Sequence, residues 1–233
     1  MSKLNVFKVN YDTAYDVIKE NIYSCVVAPI VVNDTKFHHQ INIEHVPSAI
    51  EYGLLSKRKY VNEVEKRELT EHEIFIFSDE YHVNGLDHIS LSTMDMDFKK
   101  IYRNEGIWNT YETVCPDIIV SKNVKAHMST QNYFNEFITR DEIPTSMFNS
   151  IDVRIFRIID HPSISLMCKT KEDRIKYMLK YYEGVREIAL KIKEKNLDIP
   201  IREVSEIYNL VEDDKALTLD VDKVIEMPKL VLK

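Results

Sequence analysis

Tyr133-Phe134-Asn135-Glu136-Phe137-Ile138-Thr139, followed by Arg140-Asp141-Glu142-Ile143-Pro144, is the stretch that organises the rest of the chain. Aromatic and β-branched residues dominate its first half, which predicts a strand over Tyr133–Thr139. The charged Arg-Asp-Glu run and Pro144 end that strand, because proline donates no ladder hydrogen bond. Pro144-Thr145-Ser146-Met147-Phe148 then reads as a short helical turn. Asp152–Ile159 alternates polar and apolar residues and reads as the next strand.

Upstream of it, Ile118–Val120 and Asp87–Thr93 read as further strands, the second with loose alternation. Val26–Val32 is apolar and β-branched, and Pro29 inside it either places that strand at an edge or ends it early. Phe37–Ile41 reads as a short strand. Asn42 then stands as a helix cap, with Pro47 in the early turns and Gly53 at the C-cap. Asp12-Thr13 is positioned to cap a helix that carries Ala14, Val17, Ile18 and Ile22 on one face. The charged stretch Lys57 to Glu73 reads as a solvated helical face.

After Pro162 the texture changes. Thr170-Lys171-Glu172-Asp173 is a capping box. Ile175, Met178, Leu179, Tyr182, Val185, Ile188, Ala189 and Ile192 follow at helical spacing. Glu203 to Val211 reads as a second, shorter helix. The fold class expected is α+β, with a mixed sheet in residues 1–160 and a helical C-terminal extension over 161–233 packed on it or mediating homo-oligomers.

The 233 residues are enough for a substantial core, and 44% hydrophobic with 30% charged residues describes an ordinary globular chain. A formal charge of -7 argues against a general nucleic-acid coat, since releasing counterions from phosphates needs a basic surface. Cys25, Cys115 and Cys168 are odd in number and widely spaced, without a CxxC pair. That pattern fits a reducing compartment and gives neither a disulfide framework nor a zinc site. The opening MSKLNVFKVN lacks a signal-peptide apolar core, and no segment approaches the roughly 20 apolar residues of a membrane span. A cytoplasmic location without membrane contact is the expectation. No Walker loop, GxGxxG, GxSxG or HExxH occurs, so no metal is implied.

Three segments in order resemble the ADP-ribosyltransferase superfamily. The first is Phe37-His38-His39-Gln40 with Ile43-Glu44-His45-Val46-Pro47-Ser48-Ala49-Ile50-Glu51-Tyr52-Gly53-Leu54-Leu55-Ser56, a strand ending in His and a helix closing on Gly-Leu-Leu-Ser. It is similar to DarT-type DNA-modifying enzymes and the diphtheria-toxin-like branch. The second is His88-Ile89-Ser90-Leu91-Ser92-Thr93. The third, Asn135-Glu136-Phe137-Ile138, resembles the Asn-Glu-Tyr-Ile segment of poly-ADP-ribose polymerase catalytic domains.

The resemblance implies a split mixed sheet that binds NAD⁺ as a substrate. It implies His39, with His38 as the neighbouring alternative, as the residue that grips the dinucleotide, since an imidazole both donates and accepts. Gln40, Tyr52, Ser90 and Ser92 are implied beside it; alternation puts the two serines on one face. Glu136 is implied as the catalytic residue, because a fixed anion stabilises the positive charge that builds at the anomeric carbon as nicotinamide leaves.

Phe134 stands where arginine-modifying members carry Gln or Glu, which argues against an arginine acceptor. Ser121 to Asn132, with Lys122 and Lys125, falls where the family's target-recognition loop lies, so Lys122, Lys125 and Phe134 are candidates for acceptor recognition. Lys57, Arg58 and Lys59 either face solvent or reach the pyrophosphate. The implied activity is mono-ADP-ribosyl transfer to nucleic acid or protein, as in toxins and phage-conflict effectors, which an antitoxin or other regulator would hold in check.

Three alternatives stand beside it. One is plain NAD⁺ hydrolysis. Another is an inactive interaction protein on the same fold. The third is a metal-dependent nuclease built on Asp87, Asp95, Asp97, Glu105 and Asp117, with Pro116-Asp117 at a strand start. No acid occurs from Ile118 to Lys125, where a restriction-type nuclease needs its acidic-x-Lys triplet.

Overall fold

A computed structural model of the chain describes residues 5–31, 37–77, 86–93, 117–120, 123–128, 136–155, 168–203 and 215–233. Eleven strands occur among them: β1 (Val6–Val9), β2 (Val26–Val31), β3 (Phe37–Gln40), β4 (Ile89–Thr93), β5 (Asp117–Val120), β6 (His127–Met128), β7 (Glu136–Thr139), β8 (Phe148–Val153), β9 (Ile201–Glu203), β10 (Lys215–Leu219) and β11 (Lys229–Leu232). The helices are α1 (Ala14–Ser24), α2 (Val46–Tyr52), α3 (Lys57–Lys59), α4 (Glu71–Phe77), α5 (Lys171–Glu194) and α6 (Val221–Glu226). A 3₁₀ turn (Ile43–His45) leads into α2, and a π-helical turn (Tyr60–Val64) continues α3.

Nine strands form one sheet in the order β2-β10-β9-β8-β5-β3-β4-β7-β6; β1 and β11 pair in parallel as a separate ribbon. In the large sheet β8 and β9 run parallel, and the other pairs are antiparallel. The fold is mixed α+β. Pro29 lies in β2 at the end of the strand order, the place in a sheet where proline is tolerated.

The sheet alternates as its sequence does. Ile89, Leu91, Ile118, Val120, Ile151, Val153, Ile201 and Leu219 lie on its apolar side and join one core with Ile18 and Ile22 of α1, Val46 and Ile50 of α2, and Ile175, Met178, Tyr182 and Val185 of α5. Burying a side chain of this size stabilises the fold by about 1.5–3 kcal/mol each before the entropy cost. Helix α5 starts where the capping box predicts: the Thr170 hydroxyl accepts from the Asp173 N–H at 3.1 Å. The cap of α1 is shifted. Asn10 Oδ1, rather than Asp12 or Thr13, accepts from the N–H groups of both residues and from the Thr13 hydroxyl.

The C-terminal third departs from the expected helical extension. Glu203, the expected first residue of a second helix, ends strand β9. Residues 204–211 of that expected helix lie outside the described set. β9 and β10 complete the main sheet, and β8–β9 pairing carries it across the expected boundary at residue 160. The reason is a buried ion pair. Arg202 and Asp152 sit opposite each other on neighbouring strands, and both guanidinium–carboxylate contacts are 2.7 Å. Two charges are neutralised inside the sheet. Among the described residues no helix is long and apolar enough to cross a membrane.

Candidate active site

Strands β3, β4 and β7 are neighbours, and their register lines up residues 54 and 44 positions apart in sequence. His38 pairs with Ser92, and Ser92 pairs with Glu136. Directly opposed residues share a face, so His38, Ser92 and Glu136 form one cross-strand row. At about 4.7–4.9 Å per strand, the outer two backbones are roughly 10 Å apart. Ser90 belongs to the same face, two residues from Ser92, and is exposed. Gln40, two residues from His38, is also exposed there.

His39 falls on the opposite face of β3, with Phe37. The Phe37 ring meets Phe137 of β7 with centroids 5.3 Å apart, which fixes that face as the packed one. His39 turns its Nδ1 to the Ser90 carbonyl at 2.8 Å. A carbonyl only accepts, so Nδ1 carries the proton and ties β3 to β4. The register thus brings His38 into the row of Ser92 and Glu136, and gives His39 a bracing contact at the strand edge.

The Gly-Leu-Leu-Ser end of α2 meets the segment that follows β7. Leu54 N–H donates to the Ile143 carbonyl at 2.9 Å, and Ile143 N–H donates back to Leu54 at 3.1 Å. Gly53 makes the approach feasible: its φ is +80°, and an added Cβ would lie 2.6 Å from the Ile143 carbonyl oxygen. The Thr145 hydroxyl donates to the Ile50 carbonyl at 3.0 Å. Helix α5 buttresses the other side of α2. Gly184 leaves room for Ile43, whose Cγ1 would stand 2.4 Å from an added Cβ. Lys191 and Lys195 bind the Glu51 carboxylate and hold it below the usual carboxylate range, chiefly through the Lys191 hydrogen bond. Tyr52, the last residue of α2, is 52% exposed.

The basic run after α2 is committed to ion pairs. Lys57 contacts Glu73 at 3.1 Å, Arg58 contacts Asp87 at 2.7 Å, and Lys59 contacts Glu142. The Glu142 contact raises the Lys59 pKa. These pairings fit the solvent-facing reading of the run better than a pyrophosphate contact. Lys125 is exposed just before β6, which pairs with β7 through His127–Ile138. Lys122 and Phe134 lie outside the described residues, as do Asp95, Asp97 and Glu105. Asp87 is held by Arg58. Asp117 stands opposite Asp152 in the register of β5 and β8, and the Asp152 carboxylate is paired with Arg202.

One contact escaped the sequence reading. Arg140 Nε donates to His88 Nε2 at 2.9 Å, at the ends of β7 and β4. Its signal lay in the alternation: 136, 138 and 140 on one strand, 88, 90 and 92 on the other, extend the register one pair further.

Comparison with protein-family models, curated proteins and solved structures gives no match.

Proposed function

We propose that the chain is a mono-ADP-ribosyltransferase that cleaves NAD⁺ and transfers ADP-ribose to a macromolecular acceptor, nucleic acid or protein. The observation that carries this reading is the cross-strand row His38–Ser92–Glu136 on the polar face of the sheet. Three segments singled out for their resemblance to one enzyme superfamily lie on adjacent strands in that row. The tie between Leu54 and Ile143 adds the flanks of the first and third segments.

The chemistry follows from the residue types. The bond between the nicotinamide nitrogen and the anomeric carbon breaks, and the electron pair leaves with nicotinamide. Positive charge spreads over the anomeric carbon and the ring oxygen. The Glu136 carboxylate stabilises that charge and accepts a hydrogen bond from a ribose hydroxyl. An acceptor nucleophile then bonds to the anomeric carbon and gives up its proton; with water instead, the product is free ADP-ribose. His38 fits the dinucleotide-gripping role better than His39, because it shares the row with Ser92 and Glu136. Ser90 and Ser92 supply hydroxyls beside it.

The test is incubation of purified protein with labelled NAD⁺ and separate DNA, RNA and protein pools. Nicotinamide release and label in one pool are expected, with both lost in Glu136→Ala. Wild-type protein that neither binds nor consumes NAD⁺ with these pools present sinks the reading. Free ADP-ribose alone would make the protein an NAD⁺ hydrolase.

A further inference from the structure

The polar face of β4 and β7 carries a second feature beyond the row of His38, Ser92 and Glu136. Ile89 pairs with Thr139, and both are buried on the apolar side. His88 and Arg140 are therefore the next opposed pair on the polar side, and their side chains meet there at 2.9 Å. His88 is 9% exposed, whereas Arg140 is exposed. A buried imidazole thus holds the Nε end of an arginine whose other end reaches solvent. Since Arg140 can only donate, His88 Nε2 is the acceptor, and the imidazole is the neutral tautomer protonated at Nδ1.

Four other described arginines pair their charge within the protein. Arg58, Arg67, Arg186 and Arg202 each contact a carboxylate. No carboxylate among the described residues contacts the Arg140 guanidinium. Its partner is a neutral ring, which fixes orientation and leaves the positive charge unspent. The remaining N–H groups form the planar fork that matches a phosphate bidentately. Arg140 lies four residues from Glu136 on the same side of β7, about 13 Å along the strand.

We propose that Arg140, positioned by His88, is an anion site at the end of the β4–β7 pair that takes a phosphate group of the reacting ligands. The proposal rests on the ADP-ribosyltransferase reading for its substrates. The phosphate belongs either to the pyrophosphate of NAD⁺ or to the backbone of a nucleic-acid acceptor.

The experiment measures equilibrium binding of inorganic pyrophosphate, NAD⁺ and a short single-stranded oligonucleotide to wild type, Arg140→Gln, His88→Leu and His88→Gln. Arg140 is exposed, so its variant should keep the wild-type melting midpoint. Loss of a charge-assisted contact should weaken pyrophosphate binding at least about ten-fold in Arg140→Gln. His88→Leu should follow it part of the way, and His88→Gln, which restores an acceptor, should recover the loss. NAD⁺ binding falling in parallel, with KM rising and kcat nearly kept, assigns the dinucleotide. Oligonucleotide binding falling while NAD⁺ binding holds assigns the acceptor. Pyrophosphate binding that depends on Arg140 in a protein that never consumes NAD⁺ keeps the anion site and removes the enzymatic reading. Wild-type protein that binds no pyrophosphate, or Arg140→Gln that binds all three probes as wild type does, overturns the proposal.

Discussion

Two parts of the same nine-stranded sheet differ in how they treat their polar side chains. In β8 and β9 nearly every residue is buried, on both faces. Asp152 and Arg202 satisfy each other at 2.7 Å, and Ser150 adds a hydrogen bond to Asp152 at 3.0 Å. Glu203 is consumed as well, accepting from the Ile155 N–H at 2.9 Å. In β3 only the partly buried Phe37, His38 and His39 precede the exposed Gln40, and Ser90 of β4 is exposed. One part seals polar groups inside the fold, and the other displays them on one face. A ligand is bound more readily by the second arrangement, because an exposed polar side chain can exchange its contacts for a ligand's. The first supplies the rigidity that holds the second in register.

The contrast breaks most visibly at the buried ion pair. Arg202→Met leaves the Asp152 charge buried without its partner and should cost about 3–5 kcal/mol of stability by denaturant titration. Asp152→Leu combined with Arg202→Met removes both charges and should recover most of that loss. If the single variant unfolds at the wild-type denaturant midpoint, the sealed part is wetter than its burial indicates. Gly53→Ala comes next. A side chain at φ +80°, 2.6 Å from the Ile143 carbonyl oxygen, must push α2 away from the segment after β7. About 1–3 kcal/mol should be lost. NAD⁺ turnover should fall further than that loss explains, since Gly53 joins the two flanks of the site. Thr170→Ala, which removes the cap of α5, should cost about 1 kcal/mol and leave turnover at full occupancy unchanged.

The same contrast explains what the sequence could and could not reveal. Helix α5 was legible because its capping box and apolar spacing are local signals. The strand–helix unit ending at Gly53 was legible for the same reason, as were β4 and the edge position of β2. β9 was not. It has three residues, and its Arg-Glu pair looks like surface until Asp152, fifty positions earlier, arrives beside it. At the proposed site, the residue types singled out strands that prove to be neighbours, but the choice between His38 and His39 belongs to the register. A shift of one residue turns every side chain to the other face, and no spacing within Phe37–Gln40 sets that shift. Arg140 was hidden by its charged neighbours Asp141 and Glu142, although its place in the alternation of β7 was readable.

The smallest effect on stability should come from the residue with the largest effect on chemistry. Glu136 pairs in register with Ser92, at the first described position of β7. Glu136→Gln keeps the size of the side chain and removes only its charge. With Glu136 a working residue and no part of the packed scaffold, unfolding should shift by no more than about 0.5 kcal/mol. Removing a preorganised group that stabilises developing charge should nevertheless slow nicotinamide release by about 10²–10³-fold, as loss of a comparable transition-state contact does. The two measurements together separate the roles. A slow and stable variant places Glu136 in the displayed part as a working residue. A variant that is both slow and unstable would make Glu136 another member of the sealed scaffold, and its loss of turnover would report on folding. A variant as fast as wild type would take the catalytic role away from β7 altogether, leaving the row His38–Ser92–Glu136 as an alignment without chemistry.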